Sequence, residues 1–354
     1  MNRADSVRIG VVGTGRIGAL HAQTLGAHSD VREVVLHDVD RQAARKVADR
    51  LGQVTVDSID ELLSSVDGVV IAAITDTHPA LVESCIGAGT PAFCEKPLAH
   101  DLRIAGAVAE AVDASGVAVQ MGFQRRFDAG YHRASELVAG GGIGDLYLLR
   151  TNTYDPEPPP ASYVARSGGF FVDCLVHDFD LVRYVSGREV VEVSAHGRVL
   201  VDEMFAEHDD VDVVAAVLHL TGGAMAVCTA TRHDPVGHDV RMEVLGSADS
   251  VIAGLDPRTP LRRLPDDEAP PQQTYQNFLN RFEGAYRKEM DAFVQMVTTR
   301  GRSPCTVHDA VAAQRIAAAC DRSLREQRAV RLEEIESSKN RGGDGAAAST
   351  GADR

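Results

Sequence analysis

The sequence has no long apolar run. Hydrophobic residues make up 44% of its 354 positions and charged residues 25%, a balance typical of globular proteins. No segment approaches the ~18 consecutive apolar residues of a membrane-spanning helix, and the first six residues lack the apolar core of a signal peptide. We therefore expect no membrane partner, and the length indicates about two domains.

Positive charge is scarce as well. The chain has 36 Lys and Arg against 51 Asp and Glu, which gives a formal net charge of −15. Nucleic acids and anionic membrane surfaces repel a protein with this excess of negative charge. We expect neither of them as a partner.

The six cysteines form no Cys-x-x-Cys pair. Several lie within apolar runs, which is typical of core thiols in a reducing compartment and predicts a cytoplasmic protein. The chain also lacks a His-x-x-x-His pair and a cysteine cluster, so we expect no metal site.

A glycine-rich turn follows the first predicted strand. The strand, Val7–Val12, leads into Gly-Thr-Gly-Arg-Ile-Gly and then into a helical pattern, and a second strand, Val31–His37, ends in Asp38. Asp38 follows the last glycine by about 20 residues, the distance at which an acidic side chain meets the adenosine ribose. Glycines admit the pyrophosphate, and the helix N-terminus attracts its charge. The predicted dinucleotide-binding residues are Gly13, Gly15, Arg16, Ile17, Gly18 and Asp38. A βαβ turn that binds no phosphate is the alternative.

Strands and helices then alternate up to about residue 121. Predicted helices are Arg41–Leu51, Ser58–Ser65, His78–Gly87 and Ala99–Ser115, and predicted strands are Gly68–Ala73, Pro91–Cys94 and Val117–Met121. This alternation predicts a parallel sheet covered on both faces, with ligands at the carboxyl ends of its strands. The residues that follow those ends are Thr75 and His78, Glu95 and Lys96, and Gln124–Arg126. For Lys96, the alternative to a role in chemistry is a surface lysine paired with Glu95.

The second half of the chain has a different pattern. Segments of period two are Leu146–Tyr154, Val190–Val201, Val211–Leu220, Ala224–Arg232 and Val240–Leu245. They predict hairpins and a largely antiparallel sheet with one open face, which suits an oligomer interface. Helices at Tyr275–Arg300 and Thr306–Glu326 close the fold. The expected division is a dinucleotide-binding domain at 1–122, a substrate-binding and oligomerisation domain at 123–335, and a disordered tail at 336–354.

Another predicted helix begins after Gly168-Gly169 and extends to about Tyr184. Its apolar side contains Phe171, Leu175 and Phe179, and its polar side Asp173, His177 and Asp180. Residues four apart are neighbours on a helix, so Asp173 and His177 can contact one ligand. An ordinary solvated face is the alternative.

Three motifs occur in a fixed order along the chain: the glycine turn at 13–18, Glu95-Lys96-Pro97, and Gly168-Gly169 followed by Asp173 and His177. In this combination the chain resembles the Gfo/Idh/MocA oxidoreductases over roughly residues 6–330. The resemblance implies an α/β protein, with an N-terminal Rossmann domain and a C-terminal α+β domain built on an open, largely antiparallel sheet. It also implies NAD or NADP as cofactor and redox chemistry at a ring alcohol of sugars and cyclitols.

Residues 122–128 and 154–160 are most similar to the inositol 2-dehydrogenase branch of that family. In that branch the chemistry is carried by residues that correspond here to Lys96, Asp173 and His177. The implied substrate site consists of Lys96, Arg126, Asp155, Asp173, His177 and His238. The implied cofactor site adds Thr75, His78, Glu95, Lys96 and Arg126 to the glycine turn and Asp38. Close relatives often have tyrosine in place of His238, which leaves the identity of the polyol open.

The residue types suit alcohol oxidation. A hydride leaves the alcohol carbon only as the hydroxyl proton is lost, and His177 suits the base because histidine titrates near working pH. Lys96 can stabilise the developing alkoxide. Asp173 can orient the substrate or favour the charged form of His177.

The predicted function is therefore NAD-dependent oxidation of a cyclic polyol, in the first instance myo-inositol to its 2-keto product. The alternatives are a dehydrogenase of another sugar or cyclitol, such as scyllo-inositol or glucose, and a non-catalytic sensor of dinucleotide and sugar. NAD is expected over NADP because Asp38 repels a 2′-phosphate, although Arg41 could hold one. The expected partner is a small molecule, and the resemblance implies a homotetramer.

Overall fold

The computed structural model describes residues 6–261, 271 and 273–337. Within these residues the chain forms one sheet of six strands and one of seven, with helices packed on them. The predicted disordered tail lies outside the described residues from position 338 onward. No helix within the described ranges is long and apolar enough to cross a membrane.

The first sheet is parallel throughout its described pairs. Its strands are β1 (Val7–Val12), β2 (Val31–His37), β3 (Val54–Thr55), β4 (Gly68–Ile71), β5 (Ala92–Glu95) and β6 (Val119–Gly122). Their spatial order is β3-β2-β1-β4-β5-β6. The order reverses between β1 and β4, and at such a switch point the strand ends open a crevice for a dinucleotide.

Five helices accompany this sheet: α1 (Arg16–Gly26), α2 (Arg41–Leu51), α3 (Ile59–Leu63), α4 (His78–Gly87) and α5 (Leu102–Ser115). Side-chain caps determine where several of them begin. The carboxylate of Asp101 accepts hydrogen bonds from the N–H groups of Arg103 and Ile104, so α5 begins at Leu102 and not at the predicted Ala99. Asp40 caps α2 in the same way.

The chain then crosses to the second sheet through α6 (Ala129–Ala139), followed later by α7 (Ala161–Val164) and α8 (Val176–Ser186). The predicted regular helix after Gly168-Gly169 is only partly correct. Phe171–Leu175 forms a π-helical turn, and α-helical geometry begins at Val176. Such turns are frequent at functional sites, and Asp173 lies within this one.

The second sheet is antiparallel except for one parallel pair among its described strands. Its strands are β7 (Leu146–Tyr154), β8 (Val190–Arg198), β9 (Val213–Leu220), β10 (Met225–Thr231), β11 (Asp239–Gly246), β12 (Ser250–Ala253) and β13 (Val330–Arg331). Their order is β12-β11-β7-β10-β9-β8-β13, and β7 pairs with β10 in parallel. The predicted open, largely antiparallel sheet is confirmed.

Strand β8 is among those that are shorter than their patterns predicted. The period-two segment extends to Val201, but β8 ends at Arg198. The N–H groups of Leu200 and Val201 donate to the buried carboxylate of Asp212. Because those donors are used by a side chain, they are no longer available for a strand ladder.

The remaining helices are α9 (Phe278–Arg281), α10 (Glu283–Thr299), α11 (Val307–Glu326) and α12 (Glu333–Ser337). Although α10 follows the second sheet in sequence, Phe293 and Val297 pack into the core of the first sheet. A Cβ atom at Gly68 in β4 would lie 2.7 Å from Val297. The proposed boundary at residue 122 therefore does not separate two independent cores.

Candidate active site

The glycine turn between β1 and α1 has the geometry that a pyrophosphate requires. Gly13 has a φ of +91°, and a Cβ atom at Gly18 would lie 1.8 Å from the Gly13 carbonyl oxygen, so neither position tolerates a side chain. Gly15 faces open space and precedes α1 without a side-chain cap, and the first turn of α1 has no acidic residue. The N-terminus of α1 is thus available to an anion, and these residues fit a dinucleotide.

Asp38 is held in its charged form at the end of β2. Its Oδ2 accepts hydrogen bonds from the N–H and the hydroxyl of Thr14, at 2.6 and 2.8 Å, and its Oδ1 accepts from the N–H of Asp40. Partial burial raises the pKa of the carboxyl, but these hydrogen bonds outweigh it, and the net pKa lies below the usual value. Arg41 lies 3.3 Å from the carboxylate of Asp57.

Four further residues lie along the same edge of the sheet. The Arg16 guanidinium stacks 4.8 Å above the ring of Phe278, and Thr75 begins a short turn after β4. Val39 and Ile74, which follow β2 and β4, are 97% and 68% exposed. Exposed large apolar side chains at the ligand edge suit the faces of an adenine ring, and the sequence patterns did not single out these two.

His78 has a different environment from the one predicted. Its side chain is buried, with Nδ1 2.8 Å from the carbonyl oxygen of Pro97 and Nε2 3.1 Å from that of Ala73. Burial lowers the pKa of the ring despite these two acceptors. The imidazole thus joins the end of β4 to the Glu-Lys-Pro loop, and this favours a structural role over the expected cofactor contact.

Lys96 and Asp173 come together at the end of β5. The Lys96 Nζ donates to the carbonyl oxygen of Asp173 at 2.7 Å and lies 3.6 Å from its Oδ1. The expected alternative, a surface pair with Glu95, is wrong because Oε1 of Glu95 faces His21. The solvated-face alternative is wrong as well, since Asp173 is 9% exposed and Asp180 is 1% exposed.

Two residues that the sequence patterns did not single out hold the Asp173 carboxylate. The Tyr163 hydroxyl donates to Oδ1 at 2.6 Å, and the Arg232 guanidinium donates to Oδ2 at 2.6 Å. Burial raises the pKa of Asp173, but the charges of Lys96 and Arg232 and these hydrogen bonds bring it below the usual value. The carboxylate is therefore charged inside the protein.

His177 lies in the first turn of α8, half-buried, with its ring edge-on to Phe123 at 5.8 Å. Its Nδ1 is buried and has no hydrogen-bond partner within the described ranges. Burial, followed by the charges of Lys96 and Arg125, lowers the pKa of the ring well below the usual value. The imidazole is thus neutral, which contradicts the expectation that Asp173 favours its charged form.

Asp155 and His238 form a second polar group beside Arg232. The guanidinium donates to Oδ2 of Asp155 at 3.2 Å, and Nδ1 of His238 lies 3.4 Å from Oδ1. His238 is 3% exposed, and neither ring nitrogen makes a hydrogen bond among the described contacts. Arg232 therefore connects these two predicted substrate residues to Asp173.

The Arg126 side chain binds residues other than those of the Lys96–Asp173–His177 set. Its guanidinium donates to both carboxylate oxygens of Asp180, at 2.8 and 2.5 Å, lies 3.0 Å from Asp309, and stacks on the ring of Tyr184. A buried guanidinium with two carboxylate partners has little capacity for a ligand. The geometry favours a structural role over the predicted contacts with cofactor and substrate.

Glu95 belongs to a buried cluster that local spacing could not reveal. Its Oε1 lies 2.7 Å from Nε2 of His21, and one side-chain atom each of His21, Glu95 and Glu289 lie within 4.8 Å of one another. Such atoms are possible metal ligands, but the short contact has the length of a hydrogen bond. The cluster ties α1 and α10 to the residue that precedes Lys96.

Comparison with known proteins identifies the family. The model of the oxidoreductase family with an NAD-binding Rossmann fold matches residues 7–123, and the model of the GFO/IDH/MocA C-terminal domain matches residues 131–252. The chain belongs to the Gfo/Idh/MocA oxidoreductases. The predicted family, fold class and NAD-binding domain are thereby confirmed.

Individual members are similar along nearly the whole chain. Myo-inositol 2-dehydrogenase of Thermotoga maritima is 36% identical, over 93% of this chain and 99% of its own length. Inositol 2-dehydrogenase of Rhizobium meliloti is 33% identical, over 92% and 99%. The structure of scyllo-inositol dehydrogenase from Lactobacillus casei with bound NAD(H) and scyllo-inositol is 28% identical, with a TM-score of 0.84, over 93% of this chain and 99% of its own.

Proposed function

We propose that this oxidoreductase removes a hydride from a secondary ring alcohol of a cyclic polyol, with NAD as acceptor. The observation that carries the proposal is the meeting of Lys96, Asp173 and a neutral His177 beyond the carboxyl end of β5. Myo-inositol, oxidised to its 2-keto product, is the first candidate substrate. Scyllo-inositol and glucose are the alternatives.

Each side chain has a definite part in this chemistry. The bound nicotinamide supplies the hydride acceptor. The neutral imidazole of His177 accepts the hydroxyl proton, which an imidazolium could not do. The ammonium group of Lys96 donates a hydrogen bond to the same oxygen and stabilises its developing negative charge. Asp173, fixed by Tyr163 and Arg232, accepts hydrogen bonds from the polyol and orients its ring.

The charges around the site favour an uncharged substrate. Lys96 and Arg232 are the cations of the cluster, and the carboxylates of Asp155 and Asp173 balance them. A sugar phosphate or a sugar acid would have to compete with those carboxylates for the same cations. Hydroxyl groups can donate to carboxylates and accept from Lys96, as a polyol ring requires.

A spectrophotometric assay of NADH formation tests the proposal. The panel contains myo-inositol, scyllo-inositol and glucose, each with NAD and with NADP, and His177→Ala serves as the variant expected to turn over slowly. Turnover of an inositol by the wild-type protein supports the function, and the preferred isomer identifies the substrate. NAD binding without turnover of any polyol would contradict it and favour the sensor.

We further propose a homo-oligomer, with a tetramer as the specific expectation. The open face of the second sheet has neighbouring apolar side chains, because Leu148 of β7 pairs with Met225 of β10 on one side and with Leu245 of β11 on the other. Met225 is 41% and Leu245 44% exposed, and apolar patches of this kind often mark interfaces. The six cysteines, all free and buried, support a reducing, cytoplasmic location.

A further inference from the structure

Arg232 lies between the two carboxylates of the candidate active site. One terminal nitrogen donates to Asp173 at 2.6 Å and the other lies 3.2 Å from Asp155. The side chain is 5% exposed, and the guanidinium stacks 4.4 Å above the ring of Phe170. The guanidinium is thus fixed by three neighbours and bridges residues from the π-helical turn and from the end of β7.

The backbone around Arg232 is fixed by the one parallel pair of the second sheet. Thr231 of β10 pairs with Tyr154 of β7, and the N–H of Asp155 donates to the carbonyl oxygen of Thr231 at 2.9 Å. The N–H of Arg232 donates in turn to the carbonyl oxygen of Asp212. Because both strands end side by side, Arg232 and Asp155 leave the sheet as immediate neighbours.

We propose that Arg232 is a positioning residue for polyol oxidation: it keeps Asp173 charged and holds Asp173 and Asp155 at a fixed separation to receive hydroxyl groups of one ring. This inference rests on the proposed function. Arg232 contacts neither the reacting carbon nor the proton that His177 accepts, and it acts through the two carboxylates.

The need for a cation follows from the burial of Asp173. A carboxyl group this far from water would become neutral without a positive partner. Lys96 is one partner, but its ammonium group must also bind the reacting oxygen. Arg232 supplies a second charge that the reaction leaves in place, so Asp173 remains an acceptor while Lys96 binds the substrate.

Arginine suits this bridge better than lysine does. Its planar fork has donors on two terminal nitrogens in a fixed geometry, so it can bridge two carboxylates while its flat face stacks on an aromatic ring. An ammonium group has its three donors on one nitrogen at the end of a flexible stem, so it cannot hold the same two carboxylates at a fixed separation. Arg232→Lys should therefore preserve the charge beside Asp173 but lose the fixed separation from Asp155. Arg232→Gln loses the charge as well.

These two variants separate charge from geometry in steady-state kinetics. For Arg232→Gln we expect kcat/KM for the polyol to fall by about 10²-fold. The acid limb of the pH profile of kcat/KM should move to higher pH, because Asp173 is protonated more readily. For Arg232→Lys we expect a loss of kcat/KM with the acid limb close to that of wild type. The KM for NAD should stay within about twofold in both variants. Unchanged kcat/KM and an unmoved limb in Arg232→Gln would overturn the proposal.

A double-mutant cycle tests the same link without turnover. Asp173→Asn should lower the Tm of the wild-type protein, because it leaves Arg232 buried beside a neutral amide. In the Arg232→Gln background, Asp173→Asn should lower Tm by less than it does in the wild-type protein, or should raise it. Additive changes in Tm would overturn the proposed coupling. Wild-type protein that oxidises no polyol would contradict the proposed function. The Tm cycle tests the coupling between Arg232 and Asp173 whether or not the protein oxidises a polyol.

Discussion

At the scale of single residues, chemistry depends on the protonation state that burial imposes. His177 has no carboxylate partner for Nδ1 among its described contacts, and two cations contribute to its electrostatic environment. Asp173 is buried too, but it is surrounded by donors and stays charged. A neutral base and a charged acceptor thus lie within one site, an arrangement typical of acid–base catalysis.

We expect His177→Ala to lower kcat by about 10²- to 10⁴-fold, the usual contribution of a positioned base. NAD affinity, measured by fluorescence or calorimetric titration, should stay near that of wild type because the glycine turn is untouched. His308→Ala, at an exposed position of α11, is the matched control. A variant within a few-fold of wild type would mean that the base lies elsewhere, with Lys96 the next candidate.

The lowered pKa of His177 leads us to expect a particular pH profile. The base must be neutral to accept a proton, and its pKa lies well below the usual 6.5. The kcat/KM of wild type should therefore remain high as pH falls through 6.5 and decline only in more acidic solution. The part of this decline that comes from the imidazole should be absent from the residual activity of His177→Ala, which then falls only as Asp173, with a pKa below 3.8, becomes protonated. A limb centred near 6.5 in the wild-type protein would contradict the lowered pKa of this imidazole.

We expect Asp38 to determine the choice between the two cofactors. Its charged carboxylate repels a 2′-phosphate, and Arg41 is paired with Asp57 instead. Asp38→Ser should raise kcat/KM with NADP relative to NAD by about ten- to a hundredfold, since it removes a repulsion of about 1–3 kcal/mol. A wild-type protein that prefers NADP at saturating polyol would refute the assignment.

At the scale of elements, α1, β5 and α10 meet at a buried acidic cluster. Glu289 on α10 is fully buried, and neither carboxylate oxygen has a partner among the described residues. Burial, followed by the charge of Glu95, raises its pKa well above the usual 4.5. His21 and Glu95 are the other members of this cluster, and the ring of Tyr286, which packs edge-on to His21, interacts electrostatically with Glu95 and Glu289. The native protein therefore holds a proton here that the unfolded chain gives up.

This proton makes stability depend on pH. The native state binds it more tightly than the unfolded state, so the contribution of Glu289 is complete below pH 4.5 and is lost as pH rises toward the raised pKa. Glu289→Gln, neutral at every pH, should raise Tm relative to wild type by an amount that grows as pH rises above 4.5. Glu283→Gln, exposed on the same helix, should show no such trend. A constant difference in Tm would contradict a buried proton.

Site residues that depend on local motifs were predictable from the sequence, whereas those that meet through distant pairing were not. The glycine turn, Asp38 and the Lys96–Asp173–His177 set were predictable because each depends on a local motif at a strand end or on one helix. Arg232 and Tyr163 were not, since they reach Asp173 through the pairing of β10 with β7 and through the short helix α7. The structure favours a structural role for Arg126, which the pattern could not reveal because its partner, Asp180, lies 54 positions away and had been counted as part of a polar face.

At the scale of the whole molecule, the two sheets have different surroundings. The first sheet is covered on both faces, and α10 returns from the C-terminal half to complete its core. On the second sheet the buried residues alternate with exposed ones, as in Val213–Leu220 and Met225–Thr231. One face of that sheet is therefore open, as the period-two pattern predicted, and the proposed second copy of the chain would pack there.

The apolar residues of that open face should hold the oligomer together. Leu245 and Met225 flank Leu148 across adjacent strands, and a charge inside such a contact would be buried without a partner. We expect Leu245→Glu to shift the mass in light scattering toward one chain at micromolar concentration. The wild-type protein should scatter as an oligomer, with a tetramer the specific expectation.

Leu200→Glu, at a position 74% exposed beyond the end of β8, should leave the mass unchanged. A wild-type mass near one chain would exclude the interface, and an unchanged mass in Leu245→Glu would mean that the oligomer forms through another surface.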